Sequence, residues 1–211
     1  MIINFSDHSA NQRYHLMTQT IIPRPIAWAL TSSKNENITQ ESLNLAPFSY
    51  FTAISSEPAL LMISVGKKPN GIQKDTLANI LKNKKMVIHI ANENQADEVT
   101  QTAATLEHGE SELTLIGNET LSTVTFEGFE LPRLAQCDIA YACELFEIKE
   151  IGEVPQTLIF VEVKHLYISS KVTTENDGRV KINADIVKPL ARLGANEYSG
   201  ITQPFKKSRP A

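Results

Sequence analysis

Asn44-Leu45-Ala46-Pro47-Phe48-Ser49-Tyr50-Phe51 is the stretch on which the fold turns. Its apolar and aromatic residues read as a strand, yet Pro47 cannot donate to a ladder, and proline within a sheet implies an edge, a bulge or a bend. Backbone donors beside such a break can turn toward a ligand. Two companion blocks lie close by: Pro23-Arg24-Pro25-Ile26-Ala27-Trp28 upstream and Lys74-Asp75-Thr76-Leu77-Ala78-Asn79 downstream.

In the downstream block Lys74 supplies a point charge and Thr76 a hydroxyl. With Asp75 as cap, a helix begins whose apolar positions are Leu77, Ile80 and Leu81, and its free first-turn amides lie beside the lysine, where an anion is favoured. That describes a phosphate cradle without a glycine loop, although the same residues also make an ordinary helix start. At the Asn44 to Ser49 corner, unpaired N–H groups facing a cavity would need a partner such as the polar edge of a flat ring. The alternative there is a bulged strand with Asn44 bonded to its own backbone. Together the blocks suggest a site for a phosphate attached to a flat, polar ring system.

These blocks resemble the flavin reductase-like family of FMN-binding split barrels, in which a Pro-Arg-Pro-Ile strand, an Asn-x-Ala-Pro-Phe-Ser corner and a Lys-Asp-Thr helix start follow in this order. Arg192-Leu193-Gly194-Ala195-Asn196-Glu197-Tyr198 is similar to that family's C-terminal Arg-Leu-Gly-Gly-x-x-Tyr segment. The resemblance runs from about Gln19 to Tyr198. It departs at Gln40-Glu41-Ser42, where the family often has a glycine, and at Ala195, which stands at the second glycine of the tail motif. The first bears on the loop shape and the second on the tail's contact with flavin.

The resemblance implies a mainly β fold with inserted helices, an FMN-binding split β-barrel. It implies that Lys74 and Thr76 touch the FMN phosphate, helped by Thr31 and Ser32, with Asn79 either bonded across to the loop or only packed. It sets the isoalloxazine ring on the Asn44 to Ser49 corner, where the backbone of Ala46, Phe48 and Ser49 would recognise it and Pro47 enforces the bend. It also brings Arg24, Pro25 and Ile26 to the cofactor. Arg24, held between two prolines, would stabilise charge on reduced flavin or form a salt bridge across a dimer interface. Trp28 is packing, an interface residue or a stacking partner.

The 211 residues suffice for one domain, with a barrel over about 15–170 and a C-terminal tail over about 171–211. Hydrophobic residues make up 42% and charged residues 21%, as in ordinary globular proteins. A net charge of −4 gives no support to a nucleic-acid surface, and Lys206-Lys207-Ser208-Arg209 reads as a solvated terminus. No apolar run is long enough to span a bilayer, and Met1 to Asp7 lacks the features of a signal peptide, so a cytoplasmic location is expected. Cys137 and Cys143 are read as reduced, structural and on one face of a strand. His8, His15, His89, His108 and His165 are scattered, and no metal site is expected.

Strands are expected over Ile21 to Thr31, Asn44 to Thr52, Leu60 to Val65, Met86 to Ile90, Ile139 to Ile148 and Leu158 to Ile168, with a helix over Asn94 to Leu106. Pro69-Asn70-Gly71 and Asn176-Asp177-Gly178 are turn signals, the second opening the tail. Strands with irregularly inserted helices favour a closed or partly closed barrel over a doubly wound sheet.

The nine glycines never fall at i and i+2, so there is no Rossmann fingerprint. A nicotinamide nucleotide would therefore bind transiently against a bound flavin. The function expected is that of an FMN-dependent oxidoreductase, an NAD(P)H:flavin reductase taking hydride from NADH or NADPH at flavin N5. The resemblance adds a homodimer and a redox partner protein. No catalytic acid or base is identifiable. The alternatives are an FMN-binding electron carrier without NAD(P)H reductase activity, and a β-barrel interaction module whose motifs are structural.

Overall fold

The chain opens with a helix, α1 (Ala10–Thr20), that the periodicity does not announce. Thr18 is its one buried residue, so it carries no apolar stripe. What starts it is a capping box, in which Gln12 N donates to Ser9 Oγ at 3.3 Å and Ser9 N to Gln12 Oε1 at 2.9 Å. Its end precedes Pro23, and the strand expected from Ile21 begins instead at β1 (Arg24–Pro25) and β2 (Ala27–Ser32).

The computed structural model describes residues 1–210 except Pro69, Asn70, His108, Asn118, Val154, Pro155, Asp177 and Arg209. The two turn signals, His108 and the end of the basic terminus thus fall wholly or partly outside the described residues. After β2 come β3 (Leu43–Phe48), β4 (Phe51–Ser56), β5 (Ala59–Val65), α2 (Asp75–Asn83) and β6 (Lys85–Ile90). Next are α3 (Ala96–Gln101), α4 (Glu112–Ile116), β7 (Thr123–Val124), β8 (Arg133–Leu134), β9 (Ile139–Ile151) and β10 (Gln156–Ile168). The tail holds β11 (Thr173–Asn176), β12 (Arg179–Ile182), α5 (Ala184–Val187), β13 (Ala191–Arg192) and β14 (Tyr198–Ser199).

Seven strands form one antiparallel sheet in the order β3-β2-β6-β9-β10-β5-β4. The expected single strand over Asn44 to Thr52 is therefore two strands at opposite edges, joined by Ser49 and Tyr50 alone. Laid flat, six strand spacings of about 4.8 Å would separate those edges by roughly 29 Å. The link from Phe48 to Phe51 can reach no more than about 11 Å. The sheet must therefore roll up until β3 and β4 meet. Among the described residues no ladder joins them, so the barrel stays split along this seam.

Alternation along the strands divides the core. Ala27, Ala29, Met86, Ile88, Cys143, Ile159 and Val161 point into the barrel, which Leu77 and Ile80 of α2 also enter. Trp28, Leu30, Leu45, Val87 and Ala142 face outward and are covered by Val99 of α3, Leu113 of α4, Leu134 and Leu190. Cys137 joins this outer core ahead of β9, while Cys143 lies in the barrel, so the two cysteines do not share a strand face.

The helix expected over Asn94 to Leu106 is confined to α3, preceded by a 3-10 turn at Glu93–Gln95; Val99 and Thr102 are buried, but Ala103 is exposed. The tail closes on its own chain, with β13 pairing β1 in the register Arg24↔Arg192. Gln40–Ser42, at the first departure from the family pattern, is a 3-10 turn in which Ser42 Oγ donates to Thr39 O at 2.7 Å. Among the described residues no helix is long and apolar enough to cross a membrane.

Candidate cofactor site

β3 runs unbroken through Pro47 because of where the proline falls in the ladder. Its one partner in the sheet is β2, with Trp28 opposite Pro47 and Ala29 opposite Ala46. Leu45 N donates to Glu112 Oε2 at 2.9 Å, so Leu45 turns its backbone groups away from β2. Two residues on, Pro47 takes the same side by strand alternation, and its missing N–H costs no ladder bond. The same alternation turns the amides of Ala46 and Phe48 toward β2. On the strand itself, Leu43, Leu45 and Pro47 turn their backbone away from β2, and the Leu43 amide is already taken by Gln40 O.

The start of α2 adjoins this edge. Its N-cap is Lys74 (φ −70°, ψ 148°), which makes no side-chain cap bond, and Asp75 is the first helical residue, not the cap. The Asp75 carboxylate instead pairs with Lys68 Nζ at 2.8 Å, and Lys68 also donates to Leu106 O at 3.1 Å. Helical bonding begins with Leu77 N and Ala78 N donating to Lys74 O, so the Thr76 amide precedes it. Leu77 and Ile80 are buried, whereas Leu81 is exposed.

Lys74 is half-buried, with its Nζ 5.6 Å from the centroid of the Phe48 ring. Among the described residues its ammonium has neither a hydrogen-bond acceptor nor an ion-pair partner. Burial first, and then the charge of Lys68, push its pKa down. A cation in this position gains from any anion brought beside it.

Beneath Lys74 lies a closed polar network. The Thr76 hydroxyl donates to Asn44 Oδ1 at 2.9 Å and the Thr31 hydroxyl to the same oxygen at 3.3 Å. Asn79 Nδ2 donates to Thr31 Oγ1 at 3.2 Å, and Asn44 Nδ2 donates to both oxygens of Glu112 at 2.9 Å. Ser32 is fully buried and accepts from Lys34 N at 3.1 Å.

A cavity of about 530 Å³ opens over Pro47, Phe48, Ser49 and Tyr50 and is bounded by Lys74 and Gln156. Across Lys74 a recess of about 60 Å³ is lined by Asn44, Ala46, Thr76, Glu112 and the Thr102 to Leu106 segment. The structure thus gathers Asn44, Ala46, Pro47, Phe48, Ser49, Lys74 and Thr76 around one cleft. Thr31, Ser32 and Asn79 lie behind it, and Pro25 and Ile26 line neither cavity.

Arg24 is 5% exposed and turned to its own chain. Its Nη2 donates to Leu193 O at 2.6 Å, and its Nη1 to Ile21 O at 2.8 Å and to Thr18 O. It reaches the corner through Ser49 Oγ alone, at 3.4 Å. That bonding engages the guanidinium within its own chain. Trp28 is packing: it is fully buried, and its Nε1 donates to Thr102 Oγ1 at 2.8 Å.

Glu112 is the residue that sequence reasoning missed. It is 6% exposed, and burial is the main cause that raises its pKa, with Asp75 acting the same way. An acid in the run Ser111-Glu112-Leu113-Thr114 has no motif to mark it, and only the packing of α4 against β3 brings it to the site. Gln156, at the start of β10, likewise reaches the cavity only through the fold, whereas Tyr50 lies in the corner stretch itself without an assigned role.

Residues 18–184 match the family model described as the flavin reductase like domain. The chain belongs to the flavin reductase like family. One relative of similar length is the uncharacterized protein YwrF of Bacillus subtilis, 32% identical over 208 residues and covered over 96% of each chain. Among solved structures, nitrilotriacetate monooxygenase component B from Bacillus cereus superposes with a TM-score of 0.84 at 29% identity, covering 98% of both chains. The Pseudomonas fluorescens 2-nitrobenzoate 2-nitroreductase NbaA gives 0.83 at 24% identity over 100% of this chain and 96% of that one, a likeness of fold. Membership in the flavin reductase like family supports flavin binding and flavin-related oxidoreductase activity.

Proposed function

We propose that this chain holds FMN in the cleft between β3 and α2 and acts as an NAD(P)H-dependent flavin oxidoreductase. The observation that carries the reading is the ammonium of Lys74, partly desolvated and unpaired among the described residues, at the mouth of a cleft with Thr76. Lys74, the Thr76 hydroxyl and the Thr76 amide at the start of α2 would take the phosphate. Asn44 would support them from below. Pro47, Phe48 and Ser49 would form the floor for the ring, with the outward backbone of Pro47 and the Ser49 segment available to its polar edge.

Bound FMN would supply N5 as the hydride acceptor. The chain's own part is to hold a nicotinamide against that ring, and the 530 Å³ cavity over Ser49 and Tyr50 has room for one. The reading treats residues 1–211 as one domain in a cytoplasmic setting, where a nicotinamide nucleotide is at hand. It includes a homodimer, for which β4 is a suitable surface, since every residue from Thr52 to Ser56 is exposed at a barrel edge. The likeness to a monooxygenase component supports delivery of reducing equivalents to a separate partner protein.

The test is a visible spectrum of the FMN-mixed, desalted protein, followed by anaerobic NADH and then NADPH. Bands that bleach with either nucleotide support the reductase and name its donor. Retained bands that do not bleach would replace it with an electron carrier.

A further inference from the structure

Glu112 is a buried acid whose hydrogen bonds set the direction of the whole network beneath the cleft. We propose that Glu112 is the proton acceptor of the cofactor site, binding one proton from solvent when a phosphate dianion takes the hydroxyl hydrogen of Thr76, with the side-chain amide of Asn44 turning over between them. The inference rests on the FMN reading above and adds a linkage to it.

An ionised carboxylate only accepts. Glu112 accepts from Leu45 N at 2.9 Å and from Asn44 Nδ2 at 2.9 Å, which pins the amide nitrogen of Asn44 to its side. Asn44 Oδ1 must then face the other way, where it collects the hydroxyl hydrogens of Thr76 and Thr31. In this arrangement the Thr76 hydrogen is already committed. A phosphate dianion has no hydrogen to offer, so it binds Thr76 only by taking that one.

Once it does, the Thr76 oxygen presents lone pairs to Asn44 Oδ1 across 2.9 Å, and two acceptors are in contact. Rotating the Asn44 amide by half a turn puts Nδ2 against both hydroxyl oxygens and gives Thr76 a donor, while Thr31, which already accepts from Asn79 Nδ2 at 3.2 Å, keeps its own hydrogen bonded only if the Asn79 amide turns as well and offers Oδ1 to it. Oδ1 then faces Glu112, a contact that is favourable only when Glu112 carries a proton and donates it. The balance is one proton moved from solvent to a Glu112 oxygen, with no other bond made or broken, while the second oxygen keeps its bond from Leu45 N.

The surroundings raise the affinity of Glu112 for a proton. Burial is the main cause that raises the pKa of Glu112, opposed by hydrogen bonds from Leu45, its own backbone and Asn44. Across the recess stand Asp75, paired with Lys68, and Lys74. The elements packed against α4 bring Glu41 from the Gln40–Ser42 turn and Asp97 and Glu98 from α3, and Glu110 precedes α4 in the chain. β3 contributes no titratable group. Lys74 is the cation left to the phosphate, so its charge does not hold Glu112 ionised once the site is filled.

The experiment is titration calorimetry of the full chain with FMN at pH 7.5, above the second phosphate pKa of about 6, in buffers of different ionisation enthalpy. Wild type is expected to take up a substantial fraction of one proton, and Glu112→Gln close to none. A second measurement needs no variant: the wild-type Kd for FMN should rise with pH, approaching about tenfold per unit where the linkage is full. Equal proton numbers for wild type and Glu112→Gln, or a pH-independent wild-type Kd, would overturn the role of Glu112 while leaving the FMN site standing. Absence of FMN binding by wild type would overturn both.

Discussion

The Thr76 hydroxyl donates to Asn44 Oδ1 at 2.9 Å and so ties the first turn of α2 to the edge strand β3. Because Asn44 also satisfies Glu112, one side chain holds together three elements that are far apart in sequence. Asn44→Ala would strip the hydroxyls of Thr31 and Thr76 of their acceptor and leave Glu112 with backbone donors alone, Leu45 N and its own. A loss of about 2–4 kcal/mol is expected, the range for buried polar groups left without partners. Urea unfolding of the variant against wild type measures it.

His89 sets a pH dependence of stability. It is fully buried; Leu134 N donates to its Nε2 at 2.9 Å, which places the hydrogen on Nδ1, facing Trp28 O at 3.0 Å. Desolvation lowers its pKa from 6.5 to about 4. Between those values the unfolded chain binds the proton and the folded chain does not. Stability from this group is complete above about pH 6.5 and declines as pH falls toward 4, by about 3 kcal/mol in all. Urea midpoints across that interval should fall for wild type, and the His89 share of the slope should vanish in His89→Gln.

Ala195 stands at the second glycine position of the tail motif, and its φ is +47°. It sits in a turn closed by Glu197 N to Gly194 O and Leu193 N to Glu197 O, both 3.0 Å. A Cβ in the left-handed region costs about 1–2 kcal/mol, offset in part by the freer unfolded chain of glycine. Ala195→Gly should therefore stabilise by about 0.5–1 kcal/mol, seen in a thermal melt as a rise in Tm of about 1–4 °C.

Deleting the chain after Asp185 should act on folding before it acts on flavin. The lost segment buries Leu190, pairs β13 with β1 and supplies Leu193 O to Arg24, yet no residue of it lines either cavity. The expected result is a large drop in the urea midpoint. Flavin affinity measured well below that midpoint should change little, so a direct tail–flavin contact would be revealed by a selective loss of affinity.

How far the residues alone disclose this structure depends on whether the signal is local. Pro47 announces an edge because a missing N–H is legible at one position, and Lys74 with Thr76 announces a polar helix start. Leu77 and Ile80 show the buried face of α2 through their spacing. Closure of the barrel is a different kind of fact, since it follows from β3 and β4 lying at opposite edges, which no window of sequence contains. α1 escapes because its start is a capping box and its faces are polar. Asp75 reads as a cap, but Lys68 claims its carboxylate and the cap position moves to Lys74. Glu112 reaches Asn44 from 68 residues away, through tertiary packing alone.

The most direct test of the central claim is a pair of dissociation constants, for FMN and for riboflavin, measured by flavin fluorescence on wild type and Lys74→Ala. A charge-assisted bond to phosphate is worth about 1.5–3 kcal/mol, so wild type should prefer FMN, and Lys74→Ala should lose about 10- to 150-fold in FMN affinity while binding riboflavin as before. Equal affinity of wild type for the two flavins, or an unchanged FMN constant in Lys74→Ala, would contradict a phosphate site at the start of α2.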